Sequence, residues 1–301
     1  MQRLDKIISE MLNVSRGISK EIIEKGYIKI NGIDKKIKAN LILNESDIKN
    51  IIIDPKYKNM LEKGNEKPEI SKDILDSVKV LYEDEYIYII NKPAGIIVES
   101  SSTKQNTLVD ILKEKGLTLS KGENPNRDGI VHRLDKNTSG TLIITKTKEA
   151  NEVFSNLFKE RKIKKKYYAL VKGNPKEEKA KIDMPIKRDE NNRTKMTLDK
   201  SGKNAVTSFL VLKRYKELAL LDVAIETGRT HQIRVHMAGI NMPILGDDKY
   251  GNLKNKYGAN RQMLHAHLLE FMHPFKNTLI KVECEMPEDF KEVIDNIEKI
   301  E

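Results

Sequence analysis

Eight short apolar runs in the second part of the chain have the length and residue content of strands. They occupy residues 78–81, 86–90, 141–145, 167–171, 205–212, 218–225, 263–271 and 279–283. Helical spacing of apolar residues appears there at 107–114, 150–158 and 230–238. Strands outnumber helices and often follow one another directly, which favours antiparallel pairing. The pattern therefore predicts an α+β domain with a mixed, mainly antiparallel sheet.

Residues 1–54 have a pattern of their own. Apolar residues recur at helical spacing in two stretches, first Leu4, Ile7, Ile8 and Met11, then Ile18, Ile22 and Ile23. Gly26 ends the second predicted helix, and residues 27–30 alternate as a strand does. The Asn31-Gly32 pair predicts a tight hairpin turn, and residues 47–53 supply a final strand. Two helices and a small ribbon are expected.

The chain between these regions, residues 55–76, is charged, poor in aromatic residues and contains two prolines. This composition is typical of a linker. The predicted organisation is therefore a small module over 1–54, a linker over 55–76 and one large domain over 77–301.

The balance of charge favours a polyanionic partner. Lys and Arg number 55 against 45 Asp and Glu, which gives a formal net charge of +10 over 301 residues. Such a charge attracts RNA, DNA or an acidic membrane. In the module, five basic residues could contact a phosphate backbone: Arg3, Lys6, Arg16, Lys20 and Lys25. A solvated helix face explains the same residues equally simply, and both interpretations stay open on charge alone.

The remaining composition predicts a cytoplasmic, monomeric protein. The single cysteine, Cys284, excludes an internal disulfide framework and fits a reducing compartment. The first residues carry charge and no apolar stretch, so a signal peptide is not expected. No apolar run approaches the roughly 18 residues of a membrane span. A membrane surface is disfavoured as partner because the basic residues are not gathered on one long amphipathic helix.

The segment 129–145, GIVHRLDKNTSGTLIIT, concentrates ionisable residues before a buried strand. His132, Arg133 and Asp135 precede the turn signal of residues 138–140. A loop held against a strand can fix a carboxylate rigidly in a cleft. From the residues alone, Asp135 is as well explained by an ion pair as by catalysis.

The same segment closely resembles the H-R-L-D motif of RluA-type pseudouridine synthases. Further matching stretches follow in the family's order, namely KPAG at 92–95, KYYALVKG at 166–173, ETGRTHQIRVHM at 226–237 and RQMLHA at 261–266. Together they span nearly the whole large domain. Residues 3–47 in turn resemble the α-L RNA-binding module of a small-subunit ribosomal protein and several RNA-modifying enzymes, through the opening RLDK, the Ser15-Arg16 start of the second helix and GYIKING at 26–32. An RNA pseudouridine synthase with an N-terminal RNA-binding module is the expectation.

The resemblance implies roles for three catalytic residues. Asp135 aligns with the nucleophile that attacks uridine at the base or at the sugar carbon, which is covalent catalysis by a carboxylate. Tyr167 aligns with a tyrosine that packs on the base and is a candidate for proton handling. Arg234 aligns with the arginine that pairs with the nucleophile. Aromatic residues in strands are usually core, so a structural role for Tyr167 stays open.

Five further residues are predicted to bind substrate or to shape the loop beside it. Leu264 aligns with an apolar residue under the base. Arg133 is expected to hold the extruded base or to fill its gap, because a uridine in folded RNA must leave its stack before it reacts. Arg229 is expected to shape its loop or contact phosphate, as is His231. His132 is also assigned to substrate, although a backbone hydrogen bond in a tight loop explains it equally well.

One departure from the family lies after the KPAG loop, where Glu99 stands at a position that is often histidine. The run Ser100–Ser102 behind it is also unusual. An acidic residue there is expected to repel phosphate locally. Two basic stretches, 159–166 and 187–203, are in contrast candidate phosphate contacts beside the cleft.

No metal or cofactor is predicted. The sequence has neither an H-E-x-x-H pattern nor a cysteine-rich ligand set, and it has no P-loop. His265 and His267 share a strand, but no carboxylate near them is evident from the sequence. The predicted reaction is isomerisation of uridine in large-subunit ribosomal RNA. The alternatives are the same reaction on transfer RNA and a non-catalytic RNA-binding or ribosome-assembly factor.

Overall fold

The computed structural model describes residues 1–12, 14, 16–33, 37–55, 57, 67–100, 105–122, 124–251 and 256–300. The chain forms two compact units. The first comprises Met1–Glu69 and Ser100–Asn106, and the second comprises Ile70–Glu99 and Thr107–Glu301. The predicted boundaries after residues 54 and 76 stay predictions.

The first unit combines two helices with two pairs of short antiparallel strands. The helices α1 (Leu4–Leu12) and α2 (Arg16–Glu24) follow the predicted apolar spacing and contribute buried isoleucines to one core. Strand β1 (Gln2–Arg3) pairs with β3 (Ile42–Leu43), and β2 (Ile28–Ile30) pairs with β4 (Ile51–Ile53). The two predicted helices and the predicted strand at 27–30 are thus confirmed.

Two details of the predicted ribbon are wrong. Residues 47 and 48 belong to a short helix, α3 (Glu45–Ile48), because Asn44 and Asp47 form a reciprocal capping box that starts a helical turn. The turn at Asn31-Gly32 exists, with Gly32 at φ +87°, but it does not make a tight hairpin. The partner of β2 is the distant β4 instead. Ser15, assigned to the start of the second helix, lies outside the described residues.

The second unit is built on a sheet of nine strands among the described residues. The strands are β5 (Lys79–Glu83), β6 (Ile87–Lys92), β7 (Ser139–Thr145), β8 (Lys164–Lys172), β9 (Lys179–Asp183), β12 (Val206–Arg214), β13 (Leu218–Ile225), β14 (Leu264–Met272) and β15 (Leu279–Glu283). Their order is β5-β6-β7-β14-β8-β13-β12-β9, and β15 pairs with β14. All pairs are antiparallel except β7 with β14, which confirms the mixed, mainly antiparallel sheet.

Helices and a small ribbon surround this sheet. The helices are α4 (Lys72–Ser77, which begins inside the predicted linker), α5 (Leu108–Glu114), α6 (Lys148–Lys159), α7 (Gln232–Gly239) and α8 (Glu288–Glu298), with 3-10 turns at Pro125–Arg127 and Lys256–Gly258. The ribbon pairs β10 (Ile186–Arg188) with β11 (Met196–Leu198). No helix within the described ranges has the length and apolarity that a bilayer crossing needs.

Alternation along the strands produces two separate cores. Ile89 of β6 packs in a cluster with Phe154 of α6, whereas its neighbour Ile90 packs in the cluster that contains Leu112 of α5. Successive side chains of a strand point to opposite faces, so one apolar strand supports helices on both sides of the sheet. The continuous apolar sequence of β6 and β7 follows from this double burial.

The parallel contact between β7 and β14 requires a glycine. Gly140 has φ +117°, and a Cβ atom built there would lie 2.1 Å from the carbonyl oxygen of Ala266. Both the backbone conformation and the space therefore exclude other residues. This contact brings the start of β7, which follows the Asp135 loop, against β14.

We predict that Gly140→Ala destabilises the protein by about 3 kcal/mol or more, because the new methyl group meets backbone that cannot move aside. Gly116→Ala is the matched control, since Gly116 also has a positive φ, of +73°, but nothing lies within 4 Å of its Cβ position. The control should lose about 1 kcal/mol from backbone strain alone. Urea unfolding monitored by circular dichroism measures both, and equal losses would contradict the close-approach argument.

Candidate active site

Asp135 lies in the loop before β7, and hydrogen bonds hold the backbone of this loop on both sides. The N–H of Thr138 donates to the Asp135 carbonyl over 3.1 Å and closes a turn. The N–H of Gly95, in the KPAG loop, donates to the carbonyl of Lys136 over 2.8 Å. The two loops therefore fix each other, and the Asp135 side chain starts from a rigid backbone.

The side chain of Lys92 also connects the KPAG loop to the loop of Asp135. This side chain is fully buried, and its Nζ donates to the carbonyls of Pro93, Ile96 and Lys136 over 2.8, 3.0 and 3.1 Å. Burial lowers the pKa of Lys92 to about 7, and the charge of Arg261 acts in the same direction. The three carbonyl oxygens match the three donors of an ammonium group. Lys92 belongs to a motif recognised in the sequence, but its hydrogen bonds to the two loops are visible only in the structure.

Arg234 of α7 joins Asp135 to a second carboxylate. Its Nε and Nη2 donate to the two oxygens of Asp247 over 2.7 and 2.8 Å, and its Nη1 donates to Asp135 Oδ2 over 3.0 Å. Arg234 and Asp247 are buried, whereas the Asp135 side chain is 23% exposed. The planar guanidinium thus presents its fork to Asp247 and one remaining donor to Asp135.

The electrostatics keep the Arg234–Asp247 pair charged. Burial opposes the charge of Arg234, but its hydrogen bonds to Asp247 and the negative charges of Asp247 and Asp135 outweigh burial and raise the pKa of Arg234. Burial would likewise raise the pKa of Asp247, yet the Arg234 hydrogen bonds hold that pKa below its ordinary value. The Tyr250 ring, 5.2 Å from Arg234 Cζ, shields the pair on one side.

Tyr167 and Leu264 line the same cleft as Asp135, from the adjacent strands β8 and β14. Both side chains are almost fully buried, at 6% and 4% exposure. Burial raises the pKa of Tyr167, and the charge of Asp135 raises it further, so the phenol is protonated at neutral pH. Tyr168 faces the opposite side, where it stacks on His267 with ring centroids 3.9 Å apart.

His231, which was predicted to shape its loop or contact phosphate, lies beside Asp135. It has φ +55°, an uncommon conformation for a residue with a side chain, and it precedes α7. Its Nδ1 lies 2.8 Å from the Tyr250 hydroxyl, and its Nε2 lies 3.9 Å from Asp135 Oδ2. Burial lowers the pKa of His231 although Asp135 opposes the shift, so the ring is neutral at pH 7.

The cleft has a volume of about 590 Å³. Its lining includes Lys165, which the sequence did not distinguish from its basic neighbours. Lys165 lies beside the Phe158 ring, 5.4 Å from its centroid, and burial lowers its pKa to about 8. Within the basic stretch 159–166, alternation sends Lys164 and Lys166 to the opposite face, where carboxylates pair with them. The cleft retains only part of the predicted basic stretch: Lys159, Arg161 and Lys165.

Three predicted substrate residues also line the cleft, in different environments. His132 Nε2 accepts a hydrogen bond from the Ile143 N–H over 2.8 Å, and burial lowers the pKa of His132 well below its ordinary value. This bond is the structural alternative that the sequence left open. Arg229 donates from Nε to the Asn204 carbonyl over 2.9 Å and is half-buried. Arg133 is paired with Glu99 over 3.0 Å.

A carboxylate that was not evident from the sequence lies beside His267. Asp222 Oδ1 lies 2.9 Å from His267 Nε2, because β13 and β14 both pair with β8 and bring the two side chains to one face. His265 instead contacts Ser139 Oγ over 2.9 Å and the Cys284 carbonyl. Within the described residues, no group of three or more possible metal ligands is present.

The five module residues predicted to contact RNA are all ion-paired with carboxylates. The pairs are Arg3 with Asp5, Arg16 with Asp5, Lys6 with Glu10, Lys20 with Glu24 and Lys25 with Glu21. The three lysine pairs are exposed on both sides, and such pairs contribute about 0–1 kcal/mol, so a phosphate can replace the carboxylate there at small cost. The RNA contacts of these residues stay predictions.

A family model of RNA pseudouridylate synthases matches residues 86–239, a segment that contains Asp135, Tyr167 and Arg234. An uncharacterized RNA pseudouridine synthase of Bacillus subtilis, YlyB, is 36% identical over 99% of this chain and 95% of its own length. The chain belongs to the RNA pseudouridine synthase family. The predicted family and the predicted isomerase class are confirmed.

Other comparisons agree on both parts of the chain. An S4 domain model matches residues 2–48, which confirms the module resemblance. The ribosomal large subunit pseudouridine synthase D of Buchnera aphidicola is 34% identical over 97% of this chain and 93% of its own. The structure of human RNA pseudouridylate synthase domain containing 4 covers 75% of this chain and 95% of its own, with a TM-score of 0.60 and 25% identity. The predicted fold is thereby confirmed.

We predict that Asp247→Asn lowers kcat of this pseudouridine synthase roughly 10- to 100-fold. The amide of the variant side chain would present an N–H where Arg234 needs a second acceptor. The guanidinium group would therefore shift and no longer hold the Asp135 carboxylate in its position. Asp248→Asn is the control, because Asp248 is 45% exposed and 3.6 Å from Arg234 Nη2. Single-turnover kinetics of both variants measure the effect. An Asp247→Asn enzyme with the original rate would show that Arg234 needs no orienting partner.

Proposed function

We propose that this enzyme converts uridine to pseudouridine in large-subunit ribosomal RNA with Asp135 as the nucleophile. The observation that carries the proposal is the Asp135 carboxylate, which is partly exposed in the cleft and receives a single hydrogen bond from the buried Arg234. Tyr167 and Leu264 supply an adjoining wall of suitable size for a pyrimidine. The name of the Buchnera relative supports ribosomal RNA as the substrate class.

In this proposal Asp135 attacks either C1′ of the ribose or C6 of the base, and the N1–C1′ bond breaks. The base then turns, C5 bonds to C1′, and the carboxylate leaves again. The C5 proton is lost and N1 gains a proton, so the product is an isomer of the substrate. A carboxylate suits both the attack and the departure.

The other cleft residues have supporting roles in the proposal. Tyr167, with its protonated phenol, packs on the base and takes part in proton transfer. Leu264 lies under the base. Arg133 holds the extruded nucleotide, since a base must leave its stack to reach Asp135. Arg229 contacts phosphate, and His132 fixes the loop of Asp135 through its bond to Ile143.

Residues 1–54 serve as a tethered RNA-binding module in the proposal. The S4 match and the exposed cations Arg3, Lys6, Arg16, Lys20 and Lys25 support this role. Phosphate contacts remote from Asp135 raise the effective concentration of the substrate without changing the chemical step.

Asp135→Asn should abolish turnover and leave RNA affinity within about tenfold, because the amide has nearly the same shape but cannot form the covalent adduct. Pseudouridine is detected by carbodiimide tagging and primer extension on an in vitro transcript of large-subunit ribosomal RNA. Affinity is measured by filter binding. Pseudouridine formation by the variant near the original rate would exclude Asp135 as nucleophile.

Deletion of residues 1–54 should raise KM on the long transcript and spare kcat. The salt dependence of KM should also become less steep, because fewer phosphate contacts release fewer counterions. On a short single-stranded RNA that cannot reach both units, the two enzymes should behave alike. Unchanged KM on the long transcript would mean that the module has another partner, and a loss of kcat would mean that it positions the target base.

A further inference from the structure

Glu99 lies beneath two arginines at the edge of the cleft. Its carboxylate accepts a forked pair of hydrogen bonds from Arg127, from Nε over 2.7 Å and from Nη2 over 3.1 Å. The same carboxylate accepts a third bond from Arg133 Nη1 over 3.0 Å. Arg127 ends the 3-10 turn Pro125–Arg127, and Arg133 stands two residues before Asp135. Three separate segments of the second unit thus meet at one carboxylate.

The exposure of these groups is unequal. The Glu99 side chain is 8% exposed, whereas the side chains of Arg127 and Arg133 are each 62% exposed. The carboxylate of Glu99 is therefore buried, and the two guanidinium groups lie on its solvent side. Two cations over one anion leave a formal charge of +1, so the expected local repulsion of phosphate by Glu99 does not follow from this geometry. All three residues line the cleft.

Each arginine keeps donors on its solvent side. Glu99 occupies Nε and Nη2 of Arg127 and only Nη1 of Arg133, so Arg127 Nη1 and Arg133 Nη2 make no hydrogen bond with the described residues. Guanidinium donors on a fixed plane match the oxygens of a phosphate. A phosphate approaching from solvent can therefore bind both arginines without displacing Glu99.

We propose that Glu99 is a positioning residue that holds Arg127 and Arg133 as a paired binding site for RNA phosphates flanking the target uridine. The inference rests on the proposed function for the identity of the RNA. Long arginine side chains lose rotational freedom when they bind, and that loss is smaller when a buried carboxylate has already fixed them. Glu99 thus strengthens substrate binding although its own charge is negative.

The first unit contains the same arrangement, which argues that it is more than a chance ion pair. Asp5, with a side chain 9% exposed, accepts from Arg3 over 3.1 Å and from Arg16 over 2.8 Å. Those arginines are 53% and 57% exposed. In both units a buried carboxylate orders two outward-facing guanidinium groups.

The test compares Glu99→Gln with the original enzyme on the large-subunit ribosomal RNA transcript. We expect KM and Kd to rise about fivefold, the size of one screened ion-pair contact, with kcat within about twofold. Glu99→Asp, which keeps the charge with a shorter reach, should fall between them. Glu178→Gln is the matched control, since it removes the partner of Arg214 outside the cleft and should change neither constant.

A double-mutant cycle separates positioning from a general effect on the fold. When Arg127 and Arg133 are both replaced by glutamine, the further change Glu99→Gln should have no effect on Kd. A lower KM in Glu99→Gln would show that Glu99 competes with phosphate, and an undiminished effect without the arginines would show a purely structural role. Either result overturns the proposal. Because Kd needs no turnover, failure of the Asp135 assignment leaves this comparison intact and is recognised separately.

Discussion

The cleft depends on one buried cation shared by two carboxylates. Without partners, a buried arginine would cost several kcal/mol, so Arg234 must be neutralised where it lies. Asp247 does this with both of its oxygens, at 2.7 and 2.8 Å, and leaves Nη1 as the donor for Asp135. Asp135 is therefore oriented without being needed to balance the charge. Its other oxygen and its partial exposure leave the carboxylate accessible from the cleft, as the proposed role of nucleophile requires.

The fold has to bring together residues that are 99 positions apart in the chain. Asp135 precedes β7. Arg234 is the third residue of α7, and the helix follows His231, whose backbone is in the left-handed conformation. Gly140 lets β7 approach β14, and Lys92 joins the preceding loop to the loop of Asp135. These backbone constraints hold the Asp135 loop. Arg234 is held by its bonds to Asp247, and Gln232 and His236 bind its helix to other segments, so Asp135 and Arg234 meet from two differently fixed parts of the chain.

Much of this arrangement could be predicted from the sequence, because apolar alternation marked the core strands and motif order marked the cleft. β9 and α8 were missed, since KAKID offers few apolar residues and the face of Phe290, Val293 and Ile297 is diluted by charges. The start of the predicted strand at residue 47 failed because a local capping box overrode it. The role of Asp247 and the choice of Lys165 among the cations of 159–166 could not be recognised, since both depend on contacts between distant segments.

The number of charged residues does not show which of them face the substrate. The net charge of +10 correctly pointed to a polyanion, yet many of the basic residues are paired with carboxylates. Along β8, alternation turns Lys165 into the cleft and sends Lys164 and Lys166 to carboxylates on the other face. One basic run therefore supplies both a largely buried lysine in the cleft and ion pairs on the opposite face of the sheet. RNA binding by such a chain depends less on the number of its lysines than on which of them the strand leaves facing the substrate.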